Sequence, residues 1–148
     1  YLTSNNKVQV ATIGPDGAPH LTTLFYAMVD GRIAFWTYGS SQKIKNLRRD
    51  PRISCLIETG VEYSELAGIS VRGRASLVED YDGIRALGEQ VSQRMVGMDD
   101  PGISQELKDA LLDHQATKHV GVLVEAERIA SWDHSKMSAP PGSASVEA

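Results

Sequence analysis

Three short strand-like runs near the N-terminus are joined by links that are too short for anything but hairpins. Residues 8–13 alternate between apolar and polar side chains, residues 20–29 are rich in threonine, aromatic and branched residues, and residues 32–38 form the third run. The links Gly14-Pro15-Asp16-Gly17 and Asp30-Gly31 are typical of tight turns. The sequence therefore predicts a meander of antiparallel strands.

The rest of the chain adds three strands, at residues 52–58, 67–78 and 120–129, and two longer helices, at residues 81–96 and 104–118. A short helix is predicted between the third and fourth strands, with Ser40 or Ser41 as its cap and Pro51 at its end. Gly73, inside the fifth strand, indicates a bulge or a close backbone approach. The predicted fold class is mainly β (α+β), a six-stranded antiparallel barrel with flanking helices.

The size and composition of the chain indicate one domain, residues 1–137, followed by a tail. Residues 138–148 are rich in Ser, Ala, Pro and Gly, and we expect them to be mobile. The net charge of -4 argues against broad nucleic-acid binding, and no apolar run reaches the roughly 20 residues of a membrane span. Cys55 lies in an apolar run, so we expect a buried, inert thiol and a reducing, cytoplasmic location.

A basic helix that begins directly after a strand is the strongest functional signal. Residues 43–52 hold five of the 15 lysines and arginines of this acidic chain. With Ser41 near the helix cap, free backbone N–H groups and the positive end of the helix dipole converge on one spot. Lys43 adds a full charge, Gln42 adds a neutral donor, and Asn46, one turn later, can reach the same ligand or hold Lys43 in place. The pattern predicts either a phosphate site or a solvated basic helix face.

Other polar groups allow two interpretations each. Thr22, Thr23 and Leu24 could meet the polar edge of a flat ring, or they could belong to an ordinary strand. Arg48 or Arg49 could hold a second anion, although we favour pairing of these arginines and of Arg52 with nearby carboxylates such as Asp50 or Glu58. Trp132, His134 and Lys136 could line a ligand site or form a surface loop, and an acid–base role for Asp133 and His134 is disfavoured. The histidines lack metal-ligand spacing, so no metal site is expected.

Three sequence blocks carry a resemblance to a known family. They are ATIGPDGAPH at residues 11–20, SQKIKNLRRDPR at residues 41–52 and SWDHSK at residues 131–136. Over residues 8–137 the chain resembles the pyridoxamine 5'-phosphate oxidase-like split-barrel superfamily. Within it, the chain is most similar to the actinobacterial branch of deazaflavin- and flavin-dependent oxidoreductases that use coenzyme F420.

The resemblance implies a homodimer of split barrels of the FMN-binding type, with the cofactor in clefts at the dimer interface. It implies that the cofactor phosphate lies against Ser41, Lys43 and Asn46. The ring would lie along Thr22–Thr23–Leu24 and near Thr37, and Trp132 or His134 of the partner subunit would close the cleft.

The implied function is hydride transfer between F420 and a small organic substrate, with no side-chain nucleophile. Some members of the family hold the phosphate with an arginine where this chain has Ser41, which leaves FMN open as an alternative cofactor. An FMN-dependent oxidase or reductase, or a non-catalytic carrier of a flavin or tetrapyrrole, is therefore the alternative function. The sequence does not name the substrate.

Overall fold

The computed structural model describes residues 1–95 and 101–138, and its framework is one curled antiparallel sheet of seven strands. The strands are β1 (Lys7–Ile13), β2 (Pro19–Phe25), β3 (Ala27–Val29), β4 (Arg32–Tyr38), β5 (Arg52–Thr59), β6 (Ala67–Val78) and β7 (His119–Asp133). Their order across the sheet is β2-β1-β5-β6-β7-β4-β3. This architecture confirms the predicted antiparallel split barrel.

Three α-helices flank the sheet: α1 (Gln42–Arg49), α2 (Tyr81–Gln93) and α3 (Gln105–Ala116). Short 3-10 helices occupy Tyr63–Glu65 and His134–Ser138. The last predicted residue of the second helix, at position 96, and the tail from position 139 onward lie outside the described residues. Among the helices that the structure describes, none has both the length and the apolarity that crossing a membrane requires.

The predicted second strand is divided in two, which corrects the strand count from six to seven. β2 pairs with β1, whereas β3 pairs with β4 at the other end of the strand order. The change occurs at Tyr26, whose side chain is fully buried and donates its hydroxyl hydrogen to the carbonyl oxygen of Leu2 at 2.5 Å. The Arg94 guanidinium lies 4.6 Å from the centre of the Tyr26 ring. Tyr26 is thus anchored at the point where the chain crosses from one edge of the curled sheet to the other.

The main hydrophobic core lies inside the curl and consists of alternate residues from the strands. Its fully buried members include Val8, Val10, Phe35, Ile44 and Val122. Cys55 belongs to the same cluster and is 2% exposed, which confirms the expected buried thiol. Burial raises the pKa of that thiol to about 12 because a thiolate would lose its hydration there.

A smaller cluster lies on the outer face of the sheet under α2. It contains Ala34, Leu87 and Val91, with Trp36 packed against it. A Cβ at Gly88 would lie 2.3 Å from a ring carbon of Trp36, so only glycine lets α2 approach this closely. The helix α2 therefore covers the outer face of the sheet at β4 and the start of β7, and it does not cover β1, β5 or most of β6.

β6 and β7 form the longest pairing in the sheet, and it extends beyond the predicted last strand. β7 continues to Asp133 because β6 pairs with it from Val78 back to Ala67. The register shifts between Arg72 and Gly73, which confirms the bulge that Gly73 indicated. A Cβ at Gly73 would lie 2.0 Å from the carbonyl oxygen of Glu125, so the backbones meet there without room for a side chain.

We expect Gly73→Ala to lower the free energy of unfolding by roughly 1–3 kcal/mol, because the methyl group must push the two strands apart. Ser76→Ala, at an exposed position on the same strand, is the control and should change stability by less than about 0.5 kcal/mol. Urea unfolding measures both. Equal stability of the two variants would contradict the close approach at the bulge.

Candidate functional site

The start of α1 is built as the sequence predicted, with Ser41 as its cap. The Ser41 hydroxyl accepts a hydrogen bond from the backbone N–H of Ile44 at 3.4 Å, and Ser41 itself is extended. Ile44 and Leu47 are buried in the core and fix the orientation of the helix. Because amides of the first turn have no acceptor within a helix, those of Gln42 and Lys43 can meet an anion.

Lys43 is a half-buried cation without a counter-charge. In the part of the chain that the structure describes, its ammonium group has no hydrogen-bond or ion-pair partner. Burial lowers the pKa of Lys43 because the charged form loses hydration. Lys45, two residues later on the same helix, is exposed. A cation that is held partly out of water and left unpaired is suited to receive an anionic group.

Asn46 is fully buried and connects α1 to the sheet. Its amide nitrogen donates to the Thr12 hydroxyl at 3.0 Å. Its amide oxygen accepts from Gln42 at 2.8 Å and from Arg49 at 3.2 Å. Asn46 therefore holds Gln42, rather than Lys43, at the start of the helix, and its direct contact with a ligand stays a prediction.

A row of polar groups on the inner face of the sheet continues from Thr12 onto the edge strand. His20 pairs with Thr12, and Thr22 pairs with Val10. The Nδ1 atom of His20 and the hydroxyl oxygen of Thr22 are both buried, and neither has a partner among the described residues. Since nearly all buried polar atoms in proteins are hydrogen-bonded, these two atoms fit a bound group with polar edges.

The sequence analysis included Thr22 in the site but missed His20. The missed signal was its spacing, because residues two apart on a strand share a face. The same alternation along the strand places the other residues predicted to contact the ring on different faces of the sheet. Leu24 packs against the core on the inner face and Thr23 is exposed on the outer one, while Thr37 is buried near the end of β4.

Trp132 and His134 lie at the other end of the sheet. Thr12, beside α1, pairs with Ile53 on β5, whereas Thr59 pairs with Ala67, which in turn pairs with Asp133. Six residues of strand separate Ile53 from Thr59, a distance of about 20 Å at 3.3 Å per residue. One protomer therefore does not bring Trp132 or His134 to Lys43.

The SWDHSK block is the end of β7 followed by a 3-10 helix, rather than the surface loop that was one of its two interpretations. Trp132 lies within β7 and covers Gly68, where a Cβ would lie 2.4 Å from the indole. The His134 Nδ1 atom is 3.0 Å from the carbonyl oxygen of Tyr63. Asp133 accepts hydrogen bonds from Ser135, which lower the pKa of its carboxyl group. No Asp133–His134 hydrogen bond occurs among the described residues.

The arginines of the basic block have protein partners, in agreement with the structural interpretation. Arg52 is 2.7 Å from Asp50, and Arg48 is 2.5 Å from Glu79. Arg49 donates to the carbonyl oxygen of Ile13 at 2.5 Å. In this block Lys43 is thus the half-buried cation whose charge remains available.

A family model for pyridoxamine 5'-phosphate oxidase matches residues 1–133. The chain belongs to this family. The matched residues include the whole sheet and the block that contains Lys43. The match agrees with the resemblance seen in the sequence. No curated protein matches the chain.

Solved structures of similar shape support the oxidase-family fold. A conserved hypothetical protein from Mycobacterium tuberculosis is 42% identical with a TM-score of 0.83, over 99% of this chain and 88% of that one. A protein described as an F420 reductase is 19% identical with a TM-score of 0.66, over 87% of this chain and 92% of that one. A heme-binding protein from Mycobacterium smegmatis is 17% identical with a TM-score of 0.64, over 87% of this chain and 49% of that one.

The lowered pKa of Lys43 predicts a pH-dependent stability difference. The folded state holds the Lys43 proton less tightly than the unfolded state, whose pKa is near the ordinary 10.5. Below the folded pKa the burial cost is fully present, and it disappears as the pH rises through 10.5. We therefore expect Lys43→Gln to be more stable than the wild type at pH 7, without added ligand, and this gain to vanish at alkaline pH.

Thermal unfolding from pH 7 to above pH 10.5 measures this difference. The matched control is Lys45→Gln, which removes the same charge from an exposed position on the same helix. A loss of stability in Lys43→Gln at pH 7 would show that Lys43 has a stabilising partner within the protein.

Proposed function

We propose that this chain is an F420-dependent oxidoreductase that exchanges a hydride with a small organic substrate. The observation that carries the proposal is the half-buried, unpaired Lys43 at the first turn of α1. Hydrogen bonds of Asn46 to Gln42 and Thr12 join this helix to β1, and His20 and Thr22 on the neighbouring strand β2 leave two buried polar atoms without partners among the described residues. The family assignment supports an oxidoreductase, and the similarity to a protein described as an F420 reductase supports the cofactor.

In this proposal the start of α1 holds the phosphate of the cofactor. Lys43 supplies the charge, Ser41 and Gln42 supply neutral hydrogen-bonding groups, and the first-turn amides supply the dipole. Asn46 positions Gln42 through the 2.8 Å hydrogen bond between their side chains. The site therefore binds phosphate with one full charge, whereas an arginine in place of Ser41 would add a second.

The edge strand β2 holds the ring of the cofactor. The unpartnered Thr22 hydroxyl and the Nδ1 atom of His20 are available to the polar edge of a flat heterocycle. Leu24 and Thr37 complete the proposed ring site from the two strands, and Thr23, whose side chain lies on the outer face, would contribute only its backbone groups. When bound, F420 would supply a hydride donor or acceptor at its deazaflavin ring, and the protein would orient the reactants and exclude water.

The first experiment is a titration with F420 and, separately, with FMN, followed by fluorescence. We expect Lys43→Ala to weaken F420 binding tenfold or more, because a lost charged contact costs roughly 1.5–3 kcal/mol. Lys45→Ala is the matched control and should bind like the wild type. Equal affinities of the two variants for F420 would show that the phosphate does not bind at α1. Tighter binding of FMN than of F420 would identify FMN as the cofactor.

The same samples separate an enzyme from a carrier. A reductase must oxidise reduced F420 when an accepted substrate is present, and the absorbance of the cofactor reports this directly. Tight binding without turnover across a broad panel of electron-accepting compounds would favour a carrier.

A tetrapyrrole carrier is the second candidate because of one observation. The buried Nδ1 atom of His20 has no partner among the described residues, and imidazole is a common axial ligand of haem iron. The similarity to a heme-binding protein supports this candidate. If the chain is a tetrapyrrole carrier, the Soret band of added haemin should shift on binding to the wild type, and His20→Ala should abolish this shift.

We also propose that the site is completed in a homodimer. Trp132 and His134 lie about 20 Å along the sheet from the Lys43 end, so only those of the partner subunit could close the same cleft. If so, Lys43→Ala and Trp132→Ala each remove both sites of a dimer, whereas a mixed dimer of the two variants keeps one intact site.

Random mixing of the two variants should therefore restore F420 binding to about a quarter of the sites. Analytical ultracentrifugation establishes the dimer, and fluorescence titration counts the sites. A monomer, or a mixture that binds no better than the separate variants, would contradict a shared site.

A further inference from the structure

Two arginines lie directly opposite each other on the outer face of the sheet. Arg72 on β6 and Arg128 on β7 are register partners, and both are exposed. Side chains at opposed positions of an antiparallel pair are about 4.5–5.5 Å apart at Cβ, so two like charges there repel. The structure gives neither arginine a hydrogen bond or an ion pair with any residue it describes.

The bulge in β7 creates this repulsive pair. Gly73 pairs with Ala126, and Arg72 pairs with Arg128, so Glu127 is the extra residue. Without the bulge, Glu127 would lie opposite Arg72 as a favourable pair of opposite charges. The chain thus forgoes a cross-strand ion pair at this position. Bulges commonly redirect side chains next to functional sites.

The carboxylates around the arginine pair are engaged elsewhere. Glu127 lies 3.7 Å from Arg74, Glu125 pairs with Arg32 at 2.6 Å, and Asp50 pairs with Arg52. The local field around Arg72 and Arg128 is therefore positive, although the whole chain carries a net charge of -4.

The pair borders a cleft that is large enough for a small molecule. Its volume is about 560 Å³, and its lining includes both arginines, Arg52, Ser54 and the carboxylate of Glu127, which faces Arg74 at 3.7 Å. Ser54 pairs with Arg72 and Ala11 pairs with Ser54, so these residues form one row across four strands. The small side chains at Ala11 and Ser54 leave space next to the two guanidinium groups.

We propose that Arg72 and Arg128 form a second binding site, for the carboxylate or phosphate group of a small molecule. Two guanidinium groups side by side can each donate paired hydrogen bonds to such an oxyanion, and the bound charge removes their mutual repulsion. The site lies on the outer face of the sheet; its cleft also reaches Thr12, whereas His20 and Thr22 lie on the inner face and do not line it. It does not depend on the proposed F420 function.

Calorimetric titration with inorganic phosphate and with malonate tests the proposal. Because Lys43 is also proposed to bind phosphate, the titrations use the Lys43→Ala chain as the parent, at constant ionic strength. We expect saturable binding of both anions, weakened about tenfold or more by Arg72→Gln or Arg128→Gln. Arg32→Gln, which removes an arginine already paired with Glu125, is the charge control and should bind as the parent does.

Stability without added anion gives the second readout. Arg72→Gln and Arg128→Gln should unfold at the same temperature as the parent or higher, because each relieves the repulsion. Arg128→Glu should be more stable still, since it places opposite charges across the strands. If the arginines had a purely structural role, these variants would instead unfold at a lower temperature than the parent.

Three results would overturn the proposal. The first is the absence of saturable binding in the parent, and the second is equal binding in the glutamine variants. The third is that the parent is a dimer in ultracentrifugation, that Arg72→Gln or Arg128→Gln makes it a monomer, and that neither anion binds. This result would assign the arginines to an interface with carboxylates of a second copy. Loss of F420 binding alone would leave the anion site standing, because the two measurements use different ligands and different residues.

Discussion

The buried amide of Asn46 is the interaction on which the arrangement of the candidate site depends. It is fully buried, and its three hydrogen bonds join Thr12 of β1 to Gln42 and Arg49 of α1. A buried amide that lost one of these partners would cost stability, so the helix and the strand are held in one relative position. That position fixes the first turn of α1, which carries Lys43, relative to β1 and so to the strand β2 that pairs with it.

The curled sheet separates two kinds of chemistry by its two faces. The inner face carries the apolar core and, toward β2, the buried polar atoms of His20 and Thr22. The outer face carries the helix α2 on one side and, on the other, the row of Ala11, Ser54, Arg72 and Arg128. Because side chains alternate along a strand, a single bulge is enough to change which charges meet on a face.

Local signals in the sequence predicted most of the fold. The Ser41 cap, the Pro51 stop and the bulge at Gly73 each follow from the chemistry of a few adjacent residues, and each is present. The break at Tyr26 could not be read locally, since residues on both sides favour a strand. The chain divides there because its two halves pair with different strands.

By itself, the sequence determined the antiparallel barrel, the capped basic helix and the family to which the chain belongs. Only the tertiary structure decided which of the charged and polar residues remain available. Arg48, Arg49 and Arg52 have partners, whereas Lys43, His20 and the pair of Arg72 and Arg128 do not among the described residues. The physical reason is that capping and turns depend on neighbours in sequence, whereas burial and ion pairing depend on neighbours in space.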